Sequence, residues 1–564
     1  MNKVLEQSEI KDRISRGQAI VIYDGLVLKL DKWIKYHPGG DKAIHHMIGR
    51  DATDEMNAYH CDDSVLDFKK WRIGKVSGKW TNFLPPIQGG TFGEDCENGA
   101  YTRKWRVNEK QDEFSDLTQK KKMCGEPDVK LYPKIPQGVI PSLDLTQAYE
   151  QKIVTDPADM AENFDNKLVR SDLANLPSLD AQTQAWISEE YNKMHKRIID
   201  AGLYKCNYLR YAREAARIGV LFGISFYLLF ALRYNFWSAV FMGAAWQQLV
   251  FIAHDAGHIG ITHNYQVDNI IGMVISSWIG GLSLGWWKRN HNVHHLVTND
   301  PIHDPDIQHL PFFAVSTRLF HNIYSTYYDR FLWFDKLAQK TIPLQRLLYY
   351  PILSFGRFNL YRLSWVHVLF GLGPRHGKAA WFRYFELLGL VFFNYWFFYL
   401  VCGCGLETAW ERLQYILVSH IATMIVHVQI TLSHFAMSTS DLGVSESFPM
   451  RQLRTSMDVD CPRWLDFFHG GLQFQVVHHL FPRVPRHNLR SAQPFVIEFC
   501  EKVGLTYSIY GFTKGNGVVL NKLEEIAQQA RTMLECAKSM ESEFIGEKGD
   551  TTPVTEVSQR RKLV

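Results

Sequence analysis

This chain has little net charge for its size. Lys and Arg number 62 against 58 Asp and Glu, a formal surplus of +4 over 564 residues. A nucleic-acid binder concentrates a basic surplus on one face, so this balance argues against that class. Cysteine is scarce too. The nine are Cys61, Cys96, Cys124, Cys206, Cys402, Cys404, Cys461, Cys500 and Cys536, and they form no disulfide framework. Cys402-Gly-Cys404 has no second pair to complete a zinc site and reads as incidental. The opening residues MNKVLEQSEIKD contain no apolar h-region. No secretory signal is therefore expected, and whatever precedes the first membrane span should stay in a reducing cytosol. Span-length apolar runs are missing from the first 200 residues, although 46% of the whole chain is hydrophobic. Those residues cluster between about 218 and 435, so the mean hydropathy of -0.18 hides a membrane-like middle.

Five apolar runs stand out there: Ile218 to Leu232, Phe236 to Ala253, Ile270 to Trp287, Phe385 to Cys402 and Tyr415 to Leu432. A bilayer crossing needs about 20 apolar residues, so these are span-length or slightly short. Arg210, Arg213 and Arg217 flank the first, and Arg375, Lys378 and Arg383 precede the fourth, which puts both flanks in the cytosol by the positive-inside rule. The first two runs then make one membrane hairpin and the last two another. The Ile270 to Trp287 run is expected to re-enter or lie in the interface rather than cross.

The outer parts read differently. In residues 1–78, Ile20-Val21-Ile22-Tyr23 and Leu26-Val27-Leu28, split by Asp24-Gly25, predict a short hairpin. Residues 79–183 are interrupted by proline, glycine and lysine clusters and read as a linker or insertion, poorly ordered in part. From Trp186 to Arg217 helical spacing returns, with Ile187, Tyr191, Met194, Ile198 and Leu203 on one face. Residues 511–564 read as a polar tail ending in Arg560-Arg561-Lys562.

Three histidine groups sit at ends of the apolar segments: His254-Asp-Ala-Gly-His258, His291-Asn-Val-His294-His295 and Gln475-Val-Val-His478-His479. Spacings of three and four place such side chains on one helix face. Ionisable groups at membrane depth point to function. Imidazole suits iron, copper and zinc, and seven are too many for one ion, so two ions are implied. A non-haem iron pair beside a lipid-facing pocket could activate oxygen against unactivated C–H bonds. The plain alternative for any one group is a helix with hydrogen-bonded histidines. His434 closes the fifth apolar run and is a further ligand candidate, with His427 two turns deeper. His303-Asp304-Pro305-Asp306 could orient ligands by hydrogen bonds or be a solvated acidic turn. His263, His309 and His469 read equally as ordinary polar contacts.

A separate pair lies near the start: His37-Pro-Gly-Gly40 and, 23 residues on, His60. Pro38 fixes one φ and the glycines permit a tight turn, so an imidazole can project into a crevice. Two such histidines can ligate haem iron axially, which leaves no place for oxygen and limits the haem to electron transfer.

With His37, His60, Trp33 and Gly49-Arg50-Asp51-Ala52-Thr53 on the page, residues 3–78 resemble cytochrome b5. Residues 184–510 resemble the membrane desaturases, specifically the front-end group that carries its own cytochrome b5 and has a glutamine, here Gln475, in place of the third box's first histidine. Trp464-Leu-Asp-Phe-Phe-His-Gly-Gly-Leu-Gln-Phe-Gln475, His478-His479-Leu-Phe-Pro-Arg483 and Gln308-His309-Leu310-Pro311 are similar to the sphingolipid 8-desaturases, and the long insertion is similar to the fungal members. The resemblance implies an α+β haem domain followed by a mostly α-helical, multi-span membrane domain. It implies a b-type haem held by His37 and His60, and two non-haem irons held by His254, His258, His291, His294, His295, His478 and His479, with His434 as an added ligand and Gln475 beside them. The implied substrates are O2 and the long-chain base of ceramide or sphingolipid, which gains a double bond at carbon 8. NADH would donate electrons through a separate cytochrome b5 reductase. The implied location is the endoplasmic reticulum membrane, with haem and boxes facing the cytosol. A front-end fatty-acyl desaturase and a cytochrome b5-fused lipid hydroxylase are the enzyme alternatives. A membrane haem carrier would leave the boxes idle, and a zinc hydrolase would leave the haem domain unexplained.

Overall fold

The computed structural model describes residues 3–61, 64, 67–90 and 157–549. The N-terminal part is built on a four-stranded sheet. Val4–Leu5 (β1), Ile20–Tyr23 (β2), Leu26–Lys29 (β3) and Arg72–Val76 (β4) lie in the order β1-β4-β3-β2. The hairpin expected from the sequence is present, with Ile20 opposite Lys29 and Tyr23 opposite Leu26. Asp24 and Gly25 both take positive φ, 48° and 67°, as a two-residue turn between twisted strands requires. Ile20, Ile22, Val27 and Leu28 are buried with Ile10, Ile14, Ile44 and Ile48 in one core. Short helices Asp41–His45 and Thr53–Tyr59 leave the sheet just after His37 and just before His60.

Beyond it the chain is mainly helical. Asp180 caps the helix Ala181–Asp200 through the Gln182 and Thr183 amides. Its Ile187, Tyr191, Met194 and Ile198 are buried, the face that the spacing predicts. Three helical stretches are long and apolar enough to cross a bilayer: Asn235–Gly257, Gly377–Cys404 and Ala409–Leu432. The second, fourth and fifth apolar runs fall inside them. The first run lies in helix Tyr208–Phe230, whose first turns carry Arg210, Arg213, Glu214 and Arg217, so this helix is less apolar than those three. It still pairs with Asn235–Gly257, through Ser225 and Ser238 hydroxyls that each donate to the other's carbonyl.

The Ile270 to Trp287 run is broken. Helix Tyr265–Ile279 and helix Leu284–Leu296 meet at 117°. Glycine makes the corner possible: Gly281 has φ +72°, and a Cβ there would lie 2.3 Å from the Phe393 ring. Buried polar groups fix the corner. Glu386 accepts from the Ser283 hydroxyl and the Gly285 amide, and Arg357 donates to the Gly280 carbonyl.

The polar tail expected over 511–564 needs correcting. Residues Phe512–Gly549 form one helix, preceded by strand Ile509–Gly511, which pairs in parallel with Asp458–Asp460. Val519, Leu523, Ile526, Ala527 and Ala530 are buried. The charged residues between them hide this face in the average composition. Part of the 79–183 insertion is structured too: helix Pro157–Asn175 packs Ala161 into the same core as Ile526 and Ala530. The stretch 91–156 lies outside the described residues. Removing the chain from Phe512 onward should uncover side chains each worth about 1.5–3 kcal/mol when buried. The expected outcome is aggregated rather than monodisperse protein on size-exclusion chromatography in detergent.

Candidate metal centres

In the sheet domain, the loops around His37 and His60 bring the two imidazoles together, ring centres 6.1 Å apart and planes tilted by 42°. An iron between two imidazoles demands such a spacing: two metal–nitrogen bonds of about 2 Å and half a ring on either side. His37 Nδ1–H donates to the Gly40 carbonyl at 2.7 Å and His60 Nδ1–H to the Met56 carbonyl at 3.0 Å. Each ring is thereby fixed with Nε2 free to ligate. Burial pushes both imidazoles down, His60 to about 3, so both stay neutral with a lone pair available. The residues fit a bis-histidine haem.

The three boxes meet. Nitrogens of His254, His258, His291 and His478 all lie within 4.8 Å of one another, and those of His294, His434 and His479 make a second group within the same limit. Three separate stretches of chain supply the first group. The helices Asn235–Gly257 and Leu284–Leu296 contribute from their C-terminal halves, and the short helix Gln475–Leu480 closes the site. His295 lies between the groups. Its Nε2 is 3.0 Å from that of His291, and its ring stacks on His479 with centres 4.2 Å apart.

The second group is oriented from behind. His294 Nδ1–H donates to Asp304 at 2.8 Å, His434 Nδ1–H to the Thr455 carbonyl at 3.1 Å, and His479 Nδ1–H to the Gln452 side-chain oxygen at 2.9 Å. All three therefore present Nε2 forward. In the first group, His291 Nδ1 lies 3.4 Å from Asp306. Several buried nitrogens have no hydrogen-bond partner: His258 Nε2, His295 Nδ1, His478 Nε2 and His479 Nε2. An unmet buried polar atom costs about 1–3 kcal/mol, so a cluster of them fits bound metal better than an empty core.

A cavity of about 890 Å³ runs past the groups. Its wall includes His254, His291, His294, His434 and Gln475, and otherwise mostly apolar side chains such as Leu249, Ile275, Leu353 and Phe435. Every predicted box residue is thus at the site, and His434 belongs to it. His427 lines the cavity but joins neither group. His303 joins neither group and its Nδ1 bonds the Thr326 hydroxyl, while Asp304 of the same turn holds His294. His263 bonds the Ile259 and Tyr204 carbonyls, and His469 meets Gln429. His309 packs against Phe435.

Sequence reasoning missed Gln452 and Thr455, which lie in a stretch without motif. It also missed an ionic tie behind the first box. Asp255 accepts from the Tyr211 hydroxyl and from Arg486 Nη1, the latter at 2.7 Å, and Arg486 also pairs with Glu214. Arg486 begins the helix after the third box, so this tie locks boxes one and three together.

Replacing Asp304 by asparagine, which keeps an acceptor for the Asn299 and Asp306 amides, should remove the charge that holds the His294 ring. Metal affinity should fall about 10–100-fold. Iron titration into metal-depleted protein measures it, and unchanged affinity would remove Asp304 from the site.

Comparison with known proteins agrees with this geometry. Residues 6–77 match the cytochrome b5-like heme/steroid binding domain and residues 231–511 the fatty acid desaturase family. The chain is 72% identical over 553 residues to the Delta 8-(E)-sphingolipid desaturase of Lachancea kluyveri, covering 97% of each protein. It is 56% identical to that of Candida albicans, over 96% of this chain and 99% of the other. The acyl-lipid (9-3)-desaturase of Borago officinalis is 36% identical over 61% of this chain and 76% of its own. Two nearly full-length relatives well above 30% identity, a histidine pair spaced for haem and three boxes gathered at one cavity lead to one conclusion: the chain belongs to the membrane desaturases that carry their own cytochrome b5 domain, on the branch of the Delta 8-(E)-sphingolipid desaturases.

Proposed function

We propose that the protein introduces a trans double bond at carbon 8 of the long-chain base of ceramide or a related sphingolipid. O2 is the oxidant. NADH would supply electrons through a separate cytochrome b5 reductase, His37 and His60 would hold the haem that relays them, and the box histidines would hold two irons. The observation that carries the reading is the gathering of all three boxes and His434 at the wall of one long apolar cavity, within a chain nearly as long as its sphingolipid-desaturase relatives. The same relatives' printed names support carbon 8 and the trans geometry.

Each group of residues then has its task. His254, His258, His291 and His478 would hold one iron and His294, His434 and His479 the other, with His295 between them. Bound iron supplies oxygen activation, which removes two hydrogens from adjacent carbons. The protein's share is arrangement. Asp304, Gln452 and the Thr455 carbonyl keep their imidazoles' Nε2 atoms forward. The apolar cavity wall excludes water and holds the alkyl chain extended past His254, His291 and His294. Gln475 offers an amide at that wall, where it contacts the chain without adding an imidazole ligand.

The apolar chain, the bent helix pair and the basic flanks support an endoplasmic reticulum membrane protein with haem and boxes on the cytosolic side. The 117° corner supports re-entry of the Tyr265 to Leu296 segment. A reporter fused after Lys288 should read cytosolic, as should one after Ala253, and one within Gly403 to Glu407 lumenal. A lumenal Lys288 fusion contradicts this topology.

Expression in a host that lacks the activity tests the function, with analysis of its sphingoid bases. A new trans-8 base is expected. Altered acyl chains with unchanged bases would favour the front-end fatty-acyl desaturase, and a hydroxylated base the hydroxylase.

A further inference from the structure

Both loops that carry the candidate haem ligands rest on a single helix, Leu284–Leu296, which bears His291, His294 and His295. The His37 loop is held by Asn292, whose side-chain amide donates to the Gly39 carbonyl at 3.2 Å, and by Arg289, 3.5 Å from Asp41. The approach is close: a Cβ on Gly39 would lie 2.9 Å from Asn292 Nδ2. Lys42 adds an ion pair to Asp329 at 2.7 Å. The Asn292 and Arg289 contacts reach the helix but none of its box histidines.

The His60 loop does reach one. Tyr59, the residue bonded to His60, donates its hydroxyl to the His295 carbonyl at 3.2 Å. Its ring meets the His295 imidazole edge-on, with centres 5.8 Å apart. The same carbonyl accepts from Gln452 Nε2 at 2.8 Å, and Gln452 in turn holds His479. Tyr59 is braced on its other side by Phe448, ring centres 6.0 Å apart. One residue therefore joins the chain of a haem ligand to the histidine that lies between the two metal groups.

We propose that Tyr59 is a positioning residue for electron transfer, seating the His60 side of the haem on His295 so that electrons leave the haem by this side rather than by His37. The proposal rests on the functional reading above. In the step, a haem iron goes from ferrous to ferric and a metal-centre iron from ferric to ferrous, with no bond made or broken. Two such electrons, with the two hydrogen atoms taken from the substrate (two protons and their two electrons) and two protons from water, reduce O2 to two waters. The nicotinamide-linked reductase refills the haem.

The test uses the full-length holoprotein and two variants, Tyr59→Phe and Tyr59→Leu. Each is reduced, freed of excess reductant, and mixed with oxygen and host membranes while the ferrous haem band is followed. Haem content, the reduced spectrum and the midpoint potential should be unchanged. Haem oxidation should slow about tenfold or more in Tyr59→Leu and by less in Tyr59→Phe, which keeps the ring and loses only the hydrogen bond. In iron-depleted protein that retains haem, all three should oxidise at one common slow rate. Amide exchange over residues 53–61 should be faster in iron-depleted Tyr59→Leu than in the unaltered protein, a readout independent of turnover. An unchanged oxidation rate in Tyr59→Leu overturns the proposal, as does equal slowing in iron-depleted protein. Should the leucine variant fail to take up haem, the phenylalanine variant still decides. Lipid products are identified separately. Haem oxidation that depends on Tyr59 without a new sphingoid base would sink the substrate reading and leave this one standing.

Discussion

Alanine at His295 is expected to cost the protein iron at both histidine groups and to lower desaturation at least about a hundredfold. The reason is its place. The ring touches His258 and His478 of the first group, with centres 4.8 and 5.0 Å away, and stacks on His479 of the second. Its Nε2 faces that of His291 at 3.0 Å. No other box histidine is packed so closely on members of both groups. Elemental analysis should find iron falling from two per chain toward one or none, with haem unchanged at one. Full iron and full activity in this variant would falsify the shared centre. The same measurements on His427→Ala give the contrast, because His427 lines the cavity but joins neither group. There, iron should be retained.

The second large effect is expected at the haem. His37→Ala and His60→Ala should each lose the low-spin reduced-minus-oxidised spectrum, since the two rings flank one iron-sized gap of 6.1 Å between centres. Desaturation should fall to what free cytochrome b5 in the host can support, and the two box groups should keep their iron. A purified variant with the original spectrum would remove that histidine from the axial pair. The two experiments separate the electron path from the chemistry, because each leaves the other's cofactor in place.

Much of this site was legible in the sequence because its chemistry is local. His254 and His258, or His291, His294 and His295, need only helical spacing to share a face, so a motif of a few residues carries the information. The His37 turn is local in the same way. Partners supplied from far along the chain leave no such trace. Gln452 reaches His479, Thr455 reaches His434 and Arg486 reaches Asp255 only after the helices pack. Tyr59 had a signal, its bond to His60, but its contact with His295 spans 236 positions. The C-terminal helix was misread for a related reason. Val519, Leu523, Ile526 and Ala530 follow helical spacing, yet lysine and glutamate fill the other face and dominate composition.

The tie of Asp255, Arg486, Glu214 and Tyr211 has one more consequence. It joins the first box to the third without using a single box imidazole. Breaking one partner of a buried charge array is costly, so the tie is expected to persist whether or not the imidazoles hold anything. The expected outcome is that iron can be removed and restored with the chain still folded. A mould that needs no ion for its shape also does little to choose among ions. Imidazole cages bind copper and zinc more tightly than ferrous iron, so metal supply in the compartment where the chain matures is expected to help decide which one fills this site.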